Sequence, residues 1–502
     1  MSEDQLFIGI DSGTQGTKAV VLSRENGKIL STAYAPHSLI ENNAGRREQE
    51  PAWWIAACRS AISQCLEATD VSRKQVRAIG VSGQQHGMVP LDKEGNVIRP
   101  AKLWCDTETG PQSEAITRRI GGPENAIEMM GNAVAVGFTA SKILWMKENE
   151  PDNYARLTTV LLPHDYINYW LTGERKTEYG DASGTAYFDI RNRSWSEPVL
   201  QAIDDSGKLA ACLPELIRSE APVGTLLPEI ADEFGFRPDV IVSSGGGDNM
   251  IAAIGTGNVS PGVVTASLGT SGTIYACTDQ PVIDPNGELA AFCSSTGSWL
   301  PLVCTMNVTV STELTRALLG MDVPAMNLCA SAAPVGAEGI MLLPYFNGER
   351  TPALPNATAS LFGLSSVNWS RENLCRAAME GPTLGLRYGL DVLKRQGIAP
   401  EQIRLVGGGS QSGLWREIVA DIFDCPVVCP EISEAGALGG AIQALWCFAH
   451  EKEGGASLDN ITGEFVILDA STRVEPQQDR VSQYAEIYQR YLQLNDAMTP
   501  LF

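Results

Sequence analysis

The sequence predicts an α/β protein built from two similar domains. The chain has 502 residues, which is more than one hydrophobic core usually accommodates. Short apolar runs typical of buried strands alternate with segments whose apolar residues recur at helical spacing. The motif G-T-x-G-T occurs at residues 13–17 and again at residues 269–273, so that its two copies begin 256 residues apart. A repeat at about half the chain length indicates two related units.

Each copy of the motif joins two apolar runs that predict a β-hairpin. Residues 7–10 and 19–22 flank the first copy, and residues 263–268 and 274–276 flank the second. Glycines let the backbone approach a ligand, and successive N–H groups in a tight turn form an anion cradle. An ordinary glycine-rich hairpin is the alternative for either copy alone, but the duplication favours two phosphate-binding hairpins.

The two hairpins differ two residues before the first glycine. The first has Asp11 at this position, and the second has Ser267. A carboxylate repels phosphate, so Asp11 suits a site in which a divalent cation or its water shell lies between them. We therefore expect the metal on the side of the first hairpin only.

Composition argues against several classes of function. The net charge of -22 disfavours nucleic-acid and anionic-membrane binding, which require basic patches. The 12 cysteines form no paired CxxC motif, which disfavours zinc and is typical of a reducing compartment. No apolar run has the length of a membrane span, and because the first predicted strand closely follows the acidic start we expect no signal peptide. We expect a cytoplasmic protein.

A predicted strand at residues 76–81 leads into the loop of residues 82–87, SGQQHG. Ligands of α/β folds lie beyond the carboxyl ends of strands, so Gln85 and His86 are candidate ligand-binding residues. A surface histidine in a flexible loop is the alternative for His86.

Two further pairs of residues have both a functional and a structural interpretation. Trp104 and Asp106 offer a flat face for C–H groups and an acceptor for hydroxyls, as a polyol site needs, but a core tryptophan and a turn aspartate fit equally well. His164 and Asp165 precede an apolar helical pattern, and we interpret them as helix-start residues.

The run of residues 240–249, VIVSSGGGDN, predicts a buried strand followed by three glycines and Asp248. A carboxylate at a strand end near the middle of the chain can accept the proton of a substrate hydroxyl during attack on phosphorus. The alternative is that Asp248 caps the next helix, and the two roles are compatible. A second triple glycine, residues 407–409, follows another predicted strand and could let a flat base or sugar lie against the backbone.

Motifs along nearly the whole chain resemble those of the FGGY carbohydrate kinases, members of the actin/hexokinase/Hsp70 superfamily. The matching segments are residues 11–17, 84–87, 137–145, 245–249, 269–273, 348–352, 359–380 and 407–409. The resemblance implies two ribonuclease-H-like domains around a deep cleft, at residues 1–250 and 251–502, with a final helix at 480–495 packing back on the body. It also implies domain closure and phosphorylation of a sugar or polyol with ATP and Mg²⁺.

The resemblance assigns a role to each site residue. Asp248 would be the general base, and Asp11 the carboxylate on the magnesium side. The sugar would contact Gln85, His86, Trp104, Asp106, Asp248 and Asn249. The nucleotide would be bound by Gly13, Thr14, Lys18, Gly269, Thr270, Gly408, Gly409 and Ser412, the last three near the adenosine.

Within the family, the motifs are most similar to those of members acting on D-xylulose, which implies transfer to the 5-hydroxyl of this ketopentose. Asn249 favours these members over the glycerol and ribulose kinases. Gln85 replaces a usual methionine and Glu108 a frequent arginine, so another ketose, a polyol or a sugar acid is an alternative substrate.

Alternatives of another class are a nucleotide-driven binding protein and a sugar sensor without phosphotransfer. Asp248 and the loop of residues 84–87 argue against both, because neither class requires a carboxylate aimed at a hydroxyl. We expect a sugar and ATP as small-molecule partners, and formation of a homodimer stays open.

Overall fold

The computed structural model describes residues 4–502, and Met1, Ser2 and Glu3 of the acidic start lie outside the described part. Within that part, two mixed sheets of seven strands form the centres of the two halves of the molecule. The first sheet contains both strands of the first hairpin, and the second sheet contains both strands of the second hairpin.

The two sheets have the same arrangement of neighbouring strands. In spatial order the first consists of Ile29–Pro36, Gly16–Ser23, Leu6–Ser12, Val76–Gly83, Ile241–Ser243 and Pro222–Thr225, with Gly246–Gly247 also paired to Val76–Gly83. The second consists of Ala290–Cys293, Trp299–Thr305, Gly272–Ala276, Val263–Leu268, Gln402–Val406, Val427–Pro430 and Leu468–Val474.

From Ile29–Pro36 in the first sheet and from Trp299–Thr305 in the second, the pairings run in the same series. Two antiparallel pairings are followed by two parallel pairings and a final antiparallel one. The repeated motif therefore marks a repeated topology, and the predicted α/β fold of two related domains is confirmed.

The central strands of the first sheet are buried on both faces because a helix packs on each face. In the helix Pro51–Glu67, the apolar residues that recur at helical spacing are buried: Trp54, Cys58, Ala61, Ile62 and Cys65. The helix Ala435–Glu453 covers the other face of the first sheet, although it comes from the second half of the chain.

The helices of the described residues are Pro51–Glu67, Gly110–Arg119, Pro123–Met130, Thr139–Asn149, Pro151–Arg156, Pro163–Thr172, Tyr179–Ala182, Glu197–Ile203, Pro228–Phe234, Asp248–Gly255, Thr309–Leu319, Val323–Ser331, Arg371–Arg395, Gly413–Phe423, Ala435–Glu453, Leu458–Phe465 and Gln478–Met498. Smaller strands are Ile40–Glu41, Arg47–Gln49, Val89–Leu91, Ala101–Lys102, Thr159–Leu161, Lys176–Glu178, Phe188–Asp189, Ser194–Trp195, Glu215–Ile217, Met341–Leu343 and Ser360–Phe362. Across residues 4–502, none of the helices combines the length and apolar character needed to cross a bilayer.

The final helix, Gln478–Met498, lies on the second half of the molecule. Tyr484, Tyr488 and Tyr491 form its buried face. The Tyr484 hydroxyl donates to the Glu380 carboxylate at 2.6 Å, which fixes this helix to the long helix Arg371–Arg395.

Small residues let helix Ala435–Glu453 approach the first sheet closely. A Cβ atom added to Gly9 would lie 1.8 Å from the carbonyl oxygen of Ala437, and one added to Gly80 would lie 2.0 Å from that of Gly440. No residue larger than glycine therefore fits at positions 9 and 80 without a shift of the helix.

Candidate active site

A cavity of about 350 Å³ lies between the two halves of the molecule. Residues on the first half that line it are Gln85, His86, Trp104, Asn132, Ala133, Ala135, Gly137, Phe138, Asp248 and Asn249. Residues on the second half that line it are Ser267, Ser271, Thr273, Gly287, Glu288, Leu289, Ala290, Phe292, Leu302, Cys304, Arg350 and Thr351. Five of the six predicted sugar-binding residues are among them, and Asp106 is the exception.

Asp106 is fully buried behind the cavity wall and has other partners. One of its carboxylate oxygens accepts from the backbone N–H of Arg47 at 2.9 Å and lies 3.2 Å from the Lys102 ammonium, and the other accepts from the N–H of Glu108 at 3.1 Å. Asp106 is therefore the turn aspartate that was the structural alternative above, and it does not line the cavity.

Three carboxylates close together here, those of Glu48, Asp106 and Glu108, resemble a metal-ligand cluster. The Lys102 ammonium already occupies their centre, at 3.1, 3.2 and 2.6 Å from the three groups. Glu108, which departs from the family pattern, therefore balances a buried lysine and does not line the cavity.

Asp248 is the first residue of helix Asp248–Gly255, and Gly247 is the N-cap. One of its carboxylate oxygens accepts from the backbone N–H of Asn249 at 2.8 Å and from the Asn249 side-chain amide at 3.0 Å. Burial, with a smaller contribution from the Asp11 charge, raises the pKa of Asp248 to about 7. A carboxyl group with this pKa exchanges its proton readily near neutral pH.

Gln85 positions Asn249 from the facing loop. Its side-chain oxygen accepts from the Asn249 amide at 3.0 Å, and its aliphatic part packs against Gly247, where a Cβ would lie 2.6 Å away. Methionine at position 85 would keep the packing but could not accept this hydrogen bond well. Glutamine in place of the usual methionine therefore adds a hydrogen bond beside Asp248.

His86 is buried and neutral, which differs from the flexible surface histidine considered above. Burial, together with the charges of Lys142 and Arg350, lowers its pKa well below the usual value. Its Nδ1 lies 2.7 Å from the carbonyl oxygen of Gly184, so Nδ1 carries the proton and Nε2 is left as an acceptor. A neutral acceptor suits a sugar hydroxyl.

Lys142 is hydrogen-bonded to the backbone of His86. Its ammonium is fully buried and donates to the backbone carbonyl oxygens of His86 at 3.0 Å, Phe138 at 3.1 Å and Gly137. Burial lowers the pKa of Lys142 to about 7. His86 has a φ of 63°, an uncommon value for a residue with a side chain, and these contacts stabilise it.

The indole of Trp104 joins the first hairpin to the cavity. Its Nε1 donates to the Thr14 hydroxyl at 3.0 Å, and that hydroxyl donates to the Gln84 side chain at 3.3 Å. Trp104 is 38% exposed, so its ring is available to a ligand. Gly13 and Thr14 lie beside the cavity wall and not in it.

Asp11 lies at the end of the first strand, beside the same hairpin. One of its carboxylate oxygens accepts from the Ser82 hydroxyl at 2.7 Å. A Cβ at Gly436 would lie 2.5 Å from its carboxyl carbon, so the glycine leaves space next to the carboxylate. Burial raises the pKa of Asp11, and no other effect on it is larger. Lys18, two strand positions away from the turn, pairs with Glu434.

The second hairpin forms the opposite wall of the cavity through three hydroxyl side chains, Ser267, Ser271 and Thr273. Gly269 and Thr270 form the tip of the turn and lie outside the cavity. Their carbonyl oxygens accept, each at 2.9 Å, from the first N–H groups of the segment that begins helix Thr309–Leu319.

The triple glycine of residues 407–409 lies against this second hairpin. A Cβ at Gly409 would lie 2.8 Å from that of Leu268, whereas one at Gly408 would meet no described atom within 4 Å. Ser412 uses its hydroxyl to cap the following helix. The turn therefore offers open backbone next to the second hairpin, outside the cavity.

His164 and Asp165 begin helix Pro163–Thr172, as predicted. Asp165 caps it by accepting from the N–H of Leu162 at 3.0 Å. The His164 ring is fully buried between Asp165, at 3.0 Å, and Asp181, at 2.6 Å. These carboxylates raise the pKa of His164 well above its usual value, although burial acts in the opposite direction and is the largest single effect.

Several lining residues were not predicted as site residues. Arg350 lies in a segment that matches the family, and the hydroxyls of the second hairpin flank its glycines. The motifs therefore marked these segments but did not indicate what these side chains do. Phe138 lies in the family-matching segment of residues 137–145, which was given no role, and Asn132 and Phe292 come from segments with no local pattern of a ligand site.

The models of the FGGY family of carbohydrate kinases match both halves of the chain, the N-terminal domain over residues 6–255 and the C-terminal domain over residues 264–448. The chain belongs to the FGGY family of carbohydrate kinases. As a member of this family it is a phosphotransferase whose substrates are a sugar and ATP.

Individual FGGY proteins are similar over almost their whole length. A xylulose kinase of Haemophilus influenzae is 47% identical over 491 residues, which cover 97% of this chain and 99% of that protein. A crystal structure of a "xyloylose kinase" from Brucella ovis superposes with a TM-score of 0.91 at 31% identity, covering 99% and 100% of the two chains. A gluconate kinase structure from Lactobacillus acidophilus also reaches 0.91, at 23% identity and 99% coverage of each chain. The FGGY fold itself therefore does not identify the sugar.

Proposed function

We propose that this protein transfers the γ-phosphoryl group of ATP to the 5-hydroxyl of D-xylulose. The observation that carries the proposal is the Asp248 carboxylate in the cavity wall, with its pKa of about 7 and one oxygen fixed by Asn249. The similarity to the xylulose kinase of Haemophilus influenzae supports the choice of sugar.

In the proposed reaction, Asp248 accepts the proton of the hydroxyl as its oxygen attacks phosphorus. The oxygen of Asp248 that Asn249 does not bind is the one left for this proton. His86 accepts a hydrogen bond from a sugar hydroxyl through Nε2, and the Trp104 ring covers C–H groups. These contacts hold the sugar so that one hydroxyl faces Asp248.

The residues at Asp11 fit a magnesium ion. Space beside the carboxylate is kept open by Gly436, and burial without a cationic contact strong enough to offset it raises the pKa of Asp11, a rise that a divalent cation would reverse. We propose that Asp11 holds Mg²⁺ directly or through water, and that the ion would neutralise phosphate charge.

We propose that the nucleotide lies across the two hairpins. Gly13, Thr14 and Lys18 would face its phosphates from one side, and Gly269 and Thr270 from the other. The open backbone at Gly408, with Gly409 and Ser412, would take the adenosine. We propose that the boundary between the two domains lies at residues 250/251. Closure of the domains would exclude water and limit hydrolysis of ATP.

A substrate panel in a coupled ADP-release assay tests the proposed function. The panel contains D-xylulose, D-ribulose, L-xylulose, glycerol and D-gluconate, with a sugar-free reaction as the control. We expect the highest kcat/KM for D-xylulose and little ADP release without sugar. A higher kcat/KM for another sugar would refute the substrate, and ADP release independent of every sugar would favour a nucleotide-driven binding protein.

We also propose a compartment for this protein and a test of its assembly. The 12 unpaired cysteines support a reducing, cytoplasmic compartment. Light scattering of the purified chain would decide between a monomer and the homodimer.

A further inference from the structure

Arg350 is the only lysine or arginine among the described residues that line the cavity. Throughout residues 4–502, no carboxylate oxygen lies within 4.0 Å of its guanidinium. Glu288, which also lines the cavity, is already engaged by the Tyr388 hydroxyl and by Arg395 at 2.7 Å. An exposed guanidinium without an anionic partner, in a protein of net charge -22, is suited to bind an anionic ligand.

The backbone that carries Arg350 is held in place by a buried carboxylate. Glu349 accepts from the N–H of Arg350 and from the N–H of Met306, each at 2.7 Å. Met306 directly follows the strand Trp299–Thr305. Glu349 therefore links the backbone of Arg350 to the end of this strand, and neither hydrogen bond involves the Arg350 side chain.

The strand Trp299–Thr305 belongs to the wall of the cavity that the second hairpin forms. It pairs with the second strand of the second hairpin, and Cys304 lies opposite Thr273. Both residues line the cavity. Burial raises the pKa of the Cys304 thiol and the charge of Arg350 opposes that rise, so the guanidinium lies near this pair.

We propose that Arg350 is a catalytic residue that binds the phosphoryl group during transfer and in the sugar-phosphate product. This inference rests on the proposed kinase function and adds a residue to it. A neutral sugar gives an unpaired cation no partner, whereas the transferred group carries charge on three oxygens.

In the proposed step, the sugar oxygen forms a bond to the γ-phosphorus as the bond from that phosphorus to the ADP oxygen breaks. The hydroxyl proton moves to Asp248, and ADP leaves with the electron pair of the broken bond. No covalent bond of Arg350 forms or breaks in this step. Its N–H groups donate to phosphoryl oxygens, and its planar fork matches two of them at once.

The test compares Arg350→Gln and Arg350→Lys with the wild-type chain. We expect Arg350→Gln to lower kcat about 10²- to 10³-fold, with the KM for the sugar within about threefold of wild type. Arg350→Lys keeps the charge but loses the fork, so we expect a loss of about tenfold. The control is Arg371→Gln, which removes an exposed arginine at the start of helix Arg371–Arg395, outside the cavity.

Binding measurements separate a phosphate contact from a sugar contact. Calorimetric titration of the full chain with D-xylulose, with D-xylulose 5-phosphate and with inorganic phosphate gives three affinities. For Arg350→Gln we expect both phosphate-bearing probes to bind about tenfold or more weakly and D-xylulose to bind as in wild type. Equal losses for the sugar and its phosphate would overturn the inference, as would a kcat within about threefold of wild type.

Two controls keep this test distinct from that of the proposed function. Thermal melting checks that Arg350→Gln is folded, and Arg350→Lys supplies the comparison if it is not. If the wild-type chain prefers another sugar of the panel, the substrate assignment fails and the Arg350 variants are assayed on that sugar. Should D-xylulose be the substrate and Arg350→Gln keep its kcat and its phosphate affinity, only the inference about Arg350 fails.

Discussion

Replacing Asp248 with asparagine removes the proton acceptor and keeps the size of the side chain. The asparagine oxygen can still accept the two hydrogen bonds from Asn249 that hold this side chain, at 2.8 and 3.0 Å. The loss therefore falls on proton transfer. We expect kcat to drop about 10²- to 10⁴-fold, which is the range that a positioned general base contributes.

The raised pKa of Asp248 also sets the pH dependence. Only the ionised carboxylate accepts a proton, and its pKa is about 7. In the wild type, kcat/KM should therefore fall about tenfold per pH unit below pH 7 and level off above it. The residual activity of Asp248→Asn should lack this dependence.

The same pKa predicts an effect on stability in the opposite direction. The folded state binds the Asp248 proton more tightly than the unfolded state, so the stability contribution of this group falls as pH rises from about 4 to about 7. The difference between a pKa of 3.8 and one of about 7 corresponds to at most about 4 kcal/mol. Because water reaches the half-buried carboxylate, we expect about 1 to 2 kcal/mol at pH 8, so Asp248→Asn should melt at a slightly higher temperature there.

The assay measures ADP release from pH 5.5 to 9, together with ATP binding and thermal melting at pH 5 and pH 8. Asp479→Asn, which removes an exposed carboxylate of the final helix, is the matched control. Turnover of Asp248→Asn within tenfold of wild type would refute the assignment of the base. Equal melting temperatures of wild type and variant at pH 8 would refute the stability argument alone.

Three other variants test the surrounding residues. Asp11→Asn should abolish the dependence of kcat on magnesium concentration and lower kcat at least about 100-fold, and an unchanged magnesium titration would contradict its role. Lys142→Met removes the donor to the His86 carbonyl, so the KM for the sugar should rise about tenfold while that for ATP stays constant; an unchanged sugar KM would contradict this. Asp106→Asn should lower the free energy of unfolding by about 1 to 3 kcal/mol, measured in urea, and leave the sugar KM within about twofold, because the Asp106 carboxylate pairs with Lys102 and lies outside the cavity.

The repeated topology could be predicted from sequence because its signals are local and occur twice. Each hairpin combines two apolar runs with a glycine turn, and the structure has Leu6–Ser12 with Gly16–Ser23 and Val263–Leu268 with Gly272–Ala276. The loops after strands were predictable for the same reason, since a ligand-type loop follows the carboxyl end of its strand.

The side on which a loop residue lies was not predictable. Trp104 and Asp106 are two positions apart, yet the first lines the cavity and the second points to Lys102. An ion pair with Lys102, in the short strand Ala101–Lys102, decides the side on which Asp106 lies. Likewise, nothing near Lys142 in the chain indicates that its ammonium supports His86, which is 56 positions away.

The helix Ala435–Glu453 explains how two carboxylates from distant segments are placed together. The small residues at its start allow close packing, but nothing in the sequence indicates the partner. In the structure, Gly436 leaves the space beside Asp11, and the buried Gln443 side chain bonds the N–H and carbonyl of Gly245 at 2.9 and 3.0 Å, three residues before Asp248. One rigid element of the second half thus contacts both the expected metal carboxylate and the loop of the expected base. If the halves close as proposed, a movement of this helix would shift both carboxylates together and keep the distance between them constant, while the second hairpin moves against them.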